Sequence, residues 1–254
     1  MTALDIGASP ATGKDRLSPP MHAPPPSLRP TADGVMTLWS ERYQQTYHSH
    51  FGAGTEARHV YLDLCEVPQR LQTGQPLDIL EVGFGAGLNT LLTLAAADEA
   101  GVPITYRTCE RDPLEPALML ATGYVQMIAP DWTHAWSELA NALIQTPEGS
   151  VVARCFGRAC ARLEVFRGPA DAAPWPDECA DAIYLDAFSP AHNPECWTPE
   201  FMTLLRRWAR PECRLSTYCS RGAVRRALRD AGWDARRTPG PPGGKREVLR
   251  AVAV

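Results

Sequence analysis

The sequence predicts an α/β fold, a doubly wound and mostly parallel sheet with helices on both faces, and three observations carry that expectation. The apolar run Leu77-Asp78-Ile79-Leu80-Glu81-Val82 breaks into alternating glycines and resumes as a Leu- and Ala-rich stretch from Leu88. Strand, glycine turn and helix in that order form a nucleotide cradle, because glycine admits backbone angles other residues resist and lets a ligand approach the main chain. A second strand-like run, Ile104 to Glu110, closes on an acid 27 residues after Gly83. An acid about 20 residues or more past the glycines accepts from ribose hydroxyls in nucleotide-binding folds of this kind. Further apolar runs then alternate with helical ones to the end of the chain, as repeated strand-helix units require.

Taken in order, residues 1–34 hold seven prolines and no continuous apolar segment, so a disordered leader is expected there and not a signal peptide. A single domain is expected over 35–254. Its first part, 35–75, contains the aromatic and polar stretch Leu38 to Phe51 and a helical segment Glu56 to Leu71, expected to pack over the end of the first strand. Leu77 to Val82 is that strand, and Ile104 to Glu110 the second. Pro113 opens a helix through Leu120, and Trp132 to Leu143 forms another. Arg162 to Phe166 alternates as a third strand, Ala180 to Asp186 is the fourth and Arg214 to Tyr218 the fifth. A helix follows over Ala223 to Ala231, and Lys245 to Val254 alternates as a final strand.

At 254 residues the chain is long enough to bury a full core. No apolar run approaches the roughly 20 residues needed to cross a bilayer, so no membrane partner is expected. None of the eight cysteines stands in a C-x-x-C pair and no histidine pair completes a zinc pattern. Reduced thiols, no metal and a cytoplasmic location are therefore expected. The net charge of −4 hides an asymmetry: residues 206–254 carry 13 basic and 4 acidic side chains, a balance of +9, against −13 for the rest. Charge segregated this way can hold an anionic partner, or it can solvate a helical face.

The glycine spacing narrows the ligand. Gly83-x-Gly85-x-Gly87 is not the dinucleotide pattern, and no lysine follows to make a phosphate loop, which weakens NAD, FAD and ATP together. Glu81 stands two residues before the first glycine, and acid-x-Gly-x-Gly-x-Gly after the first strand is the usual signature of S-adenosylmethionine-dependent methyltransferases of the doubly wound type. The chemistry is expected on the loop Leu185 to Trp197, LDAFSPAHNPECW. Asp186 ends the fourth strand beside the glycine turn, at the switch point where open α/β sheets bind ligands. Pro190 and Pro194 stiffen the loop. A carboxylate at that place can accept from an amine nitrogen and orient its lone pair toward a sulfonium methyl, with aromatic walls excluding water.

Four separated segments carry a resemblance: Thr37-Leu38-Trp39-Ser40-Glu41-Arg42-Tyr43 with Tyr47 and Glu56, the glycine segment Glu81 to Asn89, the loop Leu185 to Trp197, and Gly244-Lys245-Arg246-Glu247. The chain resembles the MnmC/MnmD family, the methyltransferase domain of bacterial tRNA 5-methylaminomethyl-2-thiouridine biosynthesis proteins. The resemblance implies a class I, Rossmann-like sheet of seven strands with an antiparallel last strand. It implies S-adenosylmethionine-dependent N-methylation of the aminomethyl group of 5-aminomethyl-(2-thio)uridine at the tRNA wobble position. By position, Glu81, Gly83, Gly85, Gly87 and Asn89 would line the cofactor, Glu110 its ribose, and Asp186 would be the catalytic group at the substrate amine. Phe188 and Pro190 would border the base, with Asn193, Tyr47, Glu56, Lys245 and Arg246 on the substrate side. Similar sequences carry Gly-Asp after the third strand, whereas Pro169 stands in the acid's place here, and Asp171 is the nearest candidate for the adenine.

The tRNA, through its anticodon stem-loop, would be held by Arg221, Arg225, Arg226, Lys245 and Arg246 in the basic C-terminal region. Larger family members carry a following FAD-dependent oxidoreductase domain. No second glycine fingerprint follows here, so a stand-alone methyltransferase without flavin or obligate protein partner is expected. A methyltransferase acting on a small-molecule amine, a nucleotide-binding oxidoreductase and a catalytically silent tRNA-binding module remain open alternatives.

Overall fold

The computed structural model describes residues 24–254. Most of the expected leader, 1–23, lies outside the described residues. Its last part is corrected: Ser27–Pro30 forms strand β1, paired antiparallel with β2 (Met36–Ser40), which pairs with β3 (Gln45–Thr46) in a small three-stranded sheet. Pro30 is tolerated because β1 is an edge strand, where a missing N–H need not break a ladder. Asp33 ties this sheet to the helical segment after it, accepting from the Thr31 hydroxyl at 2.6 Å and the Thr55 N–H at 2.9 Å.

The segment expected as one helix is three pieces. α1 (Ala53–Ala57) runs into a π-helical turn at Arg58–Asp63, and α2 (Val67–Leu71) comes after it. The turn buries Val60, Tyr61 and Leu62 in succession, and such wider turns are frequent at functional sites.

The rest of the chain alternates as expected. β4 (Leu77–Val82), α3 (Leu88–Ala100) and β5 (Ile104–Glu110) come first. α4 (Pro116–Ala121), α5 (Tyr124–Ile128) and α6 (Thr133–Gln145) cover one face. β6 (Ser150–Phe156), β7 (Ala161–Arg167), β8 (Ala180–Leu185), α7 (Pro199–Trp208) and β9 (Ala209–Thr217) come next. α8 (Gly222–Asp230), β10 (Trp233–Pro239) and β11 (Glu247–Ala253) close the chain.

These strands form one sheet in the order β10-β11-β9-β8-β4-β5-β7-β6. The central five are parallel, and β11 runs antiparallel between β9 and β10, as expected of the last strand. The count is eight and not seven. The addition is β6, a hairpin partner of β7 on the sheet edge, where only Val152 and Phe156 are buried. β4 and β8 are buried nearly throughout, as central parallel strands covered on both faces must be. Trp136, Trp208 and Trp233 anchor the flanking layers and are almost fully buried. Among the described residues no helix is long and apolar enough to cross a membrane.

Candidate active site

The carboxyl ends of β8, β4, β5 and β7 surround a cleft whose empty space, open mouth included, is about 840 Å³. Strand order sets its layout. Asp186 follows β8, Gly83 and Gly85 follow β4, Glu110 ends β5, and Gly168, Pro169 and Ala170 follow β7. The N-terminal segment roofs the cleft with Tyr43, Gln45, Tyr47 and His48, and Tyr218 closes the β9 side.

The three glycines differ in what they do. Gly83 has φ +98°, and a Cβ there would stand 3.0 Å from the Asp186 carbonyl oxygen; Gly85 has φ +55°, and its Cβ would stand 3.0 Å from Tyr47 Cδ1. Both line the cleft. Gly87 is not among the lining residues: it precedes α3 with φ +79°, and a Cβ would strike Trp136 at 2.4 Å. Its need for glycine comes from packing.

The acids divide in the same way. Glu81 is 1% exposed and lies behind the turn, where Oε1 accepts from Asn89 Nδ2 at 2.9 Å and Oε2 from the Thr90 hydroxyl at 3.1 Å. Burial pushes its carboxyl up to about 7 against those hydrogen bonds. Neither Glu81 nor Asn89 lines the cleft; together they support the group that does. The Asn89 amide also donates to Asp186 Oδ2 at 2.7 Å, and the Tyr61 hydroxyl, aimed by the π turn, donates to Asp186 Oδ1. Burial raises the Asp186 carboxyl well above the usual range; the Tyr61 bond opposes this and the Glu81 charge adds to it. Glu110 lines the cleft, its oxygens accepting from the Gly85 and Asp112 N–H groups at 2.8 Å each, and burial pushes it up to about 7.

Aromatic rings wall the mouth. Phe188 stacks on Tyr43 with centroids 4.2 Å apart and meets Tyr47 edge-on at 5.0 Å. Tyr43 is fixed by its hydroxyl on Asp112 at 2.6 Å, and Arg42 pairs with the other oxygen of Asp112 at 2.5 Å. Gln45 fastens the roof to the reactive loop, accepting from the Ser189 N–H at 3.1 Å and donating to the Tyr218 hydroxyl at 3.3 Å. Arg111 and Glu195 pair at 2.9 Å across the rim.

Of the other sequence-predicted residues, Asn193 lines the cleft and Pro190 stands half-buried outside the lining. Asp171 is exposed and outside it, although Pro169 and Ala170 beside it line the wall. Glu56 is buried under the roof, accepting from the Ser49 N–H at 2.8 Å, with Lys245 Nζ 3.4 Å away. Lys245 also lies 3.8 Å over the Tyr218 ring, and Arg246 is exposed. Sequence reasoning missed Tyr61 and His48. Tyr61 reads as one core residue in an apolar triplet. His48, 7% exposed, lines the cleft with Nδ1 4.0 Å from Asp186 Oδ2; its signal was adjacency to Tyr47.

The donor set suits S-adenosylmethionine. Asp186 and Glu110 present buried carboxyls to the cleft, and the only cation among its lining residues, Arg111, is already paired. A cleft of that polarity favours a cationic ligand, and Glu110 keeps free lone pairs for ribose hydroxyls.

Comparison with known proteins agrees. Residues 133–254 match a family model described as S-adenosyl-L-methionine-dependent methyltransferase. The chain is similar to the tRNA 5-methylaminomethyl-2-thiouridine biosynthesis bifunctional protein MnmC of Ralstonia nicotianae, 37% identical over 235 residues that cover 89% of this chain and 34% of that protein. The protein of the same name from an Azoarcus species is 34% identical over 236 residues, 91% of this chain and 36% of that one. The chain thus spans about a third of the length of these curated relatives. The crystal structure of MNMC2 from Aquifex aeolicus matches with a TM-score of 0.69 at 25% identity, covering 91% of this chain and 71% of that one. Strand order, acid-lined glycine cleft and relatives converge: the chain belongs to the family of S-adenosyl-L-methionine-dependent methyltransferases that includes the methyltransferase part of those bifunctional proteins.

Proposed function

We propose that the protein transfers a methyl group from S-adenosylmethionine to the primary amine of 5-aminomethyl-(2-thio)uridine at the wobble position of tRNA, in the cytoplasm. The observation that carries this reading is a buried carboxyl, Asp186, opening into the cleft directly beside the glycine turn and under an aromatic roof. The names of the relatives, which place them in tRNA 5-methylaminomethyl-2-thiouridine biosynthesis, supply the substrate class.

When bound, the sulfonium cofactor supplies an electrophilic methyl group. The chain's own residues supply position and proton handling. Glu110 accepts from the ribose, and the backbone at Gly83 and Gly85 lets the ligand lie close. An alkylammonium has no free lone pair and must lose a proton before it can attack. Asp186 takes that proton, and its raised proton affinity brings it nearer to the amine's. Tyr61 and Asn89 hold one oxygen each, so the carboxyl keeps a single orientation, which is worth much in an in-line displacement. Phe188, between Tyr43 and Tyr47, offers a flat face for an unstacked uracil ring. Arg221, Arg225, Arg226 and Arg246 are the phosphate contacts, while Lys245 is engaged with Glu56.

The test is incubation with S-adenosylmethionine and tRNA carrying the unmethylated aminomethyl group, followed by digestion to nucleosides and mass analysis. A one-methyl gain on the wobble uridine is expected. In Asp186→Asn that gain should slow by at least about 100-fold while S-adenosylhomocysteine binds as before. Undiminished turnover in this variant removes Asp186 from the chemistry, and equal methylation of the free nucleoside points to a small-molecule substrate.

A further inference from the structure

His48 carries a loose end at the centre of the site. Its main chain is fixed, the N–H donating to Thr37 Oγ1 at 3.0 Å. Its ring meets Tyr124 edge-on at 6.5 Å. Yet Nδ1 is buried with no hydrogen-bond partner, and it stands 4.0 Å from Asp186 Oδ2 on the wall of the cleft. Buried polar atoms are nearly always partnered, and 4.0 Å is too long for a direct bond. One tetrahedral nitrogen donating to two acceptors at about 2.9 Å each holds them roughly 4 to 5 Å apart. A bound amine therefore fits the gap.

Resting on the amine substrate argued above, we propose that His48 is a second substrate-contacting residue. Its Nδ1 and Asp186 Oδ2 accept the two N–H bonds of the primary amine, aim its lone pair at the methyl donor, and make the site select primary over secondary amines. Oδ2 keeps a second lone pair beyond the Asn89 bond, and Oδ1 is taken by Tyr61. Burial holds the imidazole below its usual proton affinity, hence neutral and able to accept. In the step itself the nitrogen lone pair forms the N–C bond as the S–C bond breaks and its electron pair stays on sulfur. Asp186 hands the proton it took from the substrate ammonium to solvent before this step, so its carboxylate is free to accept the extra proton of the new ammonium. The product amine has one N–H and one methyl, so a second round would press that methyl on an acceptor and leave it unpaired, the arrangement a hydrogen-bonding site rejects most strongly.

The test compares kcat/KM on tRNA bearing the primary aminomethyl group with that on tRNA bearing the methylaminomethyl group. In the wild type the secondary amine should be slower by roughly 10- to 100-fold, the cost of one unmade buried hydrogen bond. His48→Phe keeps ring volume without an acceptor and should erase most of that ratio by slowing the primary amine, with S-adenosylhomocysteine binding unchanged. His48→Asn, which can return an acceptor near the Nδ1 position, should restore it. Equal wild-type rates on both amines overturn the proposal without needing any variant to fold. So does a Phe variant that slows both substrates alike. Absence of methylation on either tRNA by the wild type instead removes the amine reading on which the proposal rests.

Discussion

Gly87 and Gly101 share a left-handed backbone and differ in what surrounds them. At Gly101, φ +67°, an added Cβ meets nothing within 4 Å, whereas at Gly87, φ +79°, it lies 2.4 Å from Trp136 Cζ2. The left-handed penalty alone is about 1–2 kcal/mol, and overpacking adds about 1–3 kcal/mol. Gly101→Ala should therefore lose only the first amount in urea unfolding, and Gly87→Ala clearly more; equal losses would show that Trp136 yields freely. The comparison also says what a glycine motif conceals. Spacing in the sequence marks Gly83, Gly85 and Gly87 as equivalents, but it cannot tell which side of the turn faces a ligand and which faces the α6 tryptophan. Glu81 and Asn89 were misplaced for the same reason: they adjoin the turn in sequence, but their side chains point behind it, where Asn89 bridges Glu81 and Asp186. Asp186, Glu110, Gly83, Gly85, Tyr47, Phe188 and Asn193 were legible and do meet in one cleft. His48 and Tyr61 were not, because an isolated histidine and a core tyrosine acquire their roles only through contacts made across the fold.

At the scale of elements, α8 turns a compositional asymmetry into a specific surface. Val224 and Leu228 face the core, one turn apart, which leaves Arg226 exposed with Arg221 just before the helix. Much of the C-terminal positive charge is already spent on acids elsewhere: Arg207 on Asp177, Arg210 on Asp78 and Asp181, and Arg214 and Arg250 on Glu66. Arg225 and Arg226 make no such pair among the described residues. If they contact phosphate, Arg225→Ala with Arg226→Ala should shallow the slope of log K for tRNA against log salt by about two. Arg236→Ala, whose guanidinium pairs with Asp234 at 2.6 Å, should leave the slope alone. An unchanged slope in the double variant removes α8 from the RNA face. Burial that imposes a period made most elements readable, but α7, which buries Phe201, Met202, Leu205 and Trp208, was not foreseen. β4, β5, β7 and β8 and the α6 and α8 segments stand close to their predicted limits, while β9 already begins at Ala209, ahead of the expected Arg214. Of the strands that escaped, β1, β3, β6 and β10 are edge strands, half-solvated and therefore weakly patterned, whereas β2 lies between β1 and β3 in a stretch read only as aromatic and polar. The π turn escaped because three consecutive buried residues fit no α-helical face.

For the molecule as a whole, the acids around the cleft couple ligand to pH. Glu81 and Glu110 are pushed from an ordinary value of 4.5 up to about 7 by burial. Each folded value lies above the unfolded one, so the stability they contribute is complete below about pH 4.5 and lost as pH rises through about 7; in that window the folded chain binds more protons than the unfolded one. A cationic sulfonium reverses the preference. It favours ionised carboxyls, and the ribose hydroxyls need Glu110 as an acceptor, so binding must expel protons from a site that holds them. Affinity for S-adenosylmethionine should then rise between pH 5.5 and 7, by up to about tenfold per unit for each proton released, and level off above. S-adenosylhomocysteine shares the ribose but lacks the positive sulfur, so its affinity should climb less steeply over the same range. Calorimetry in two buffers of different ionisation enthalpy counts the protons directly. Equal pH profiles for the two ligands would mean that the buried acids answer to the ribose alone, and a flat profile with no proton release would mean that they stay protonated with the cofactor in place.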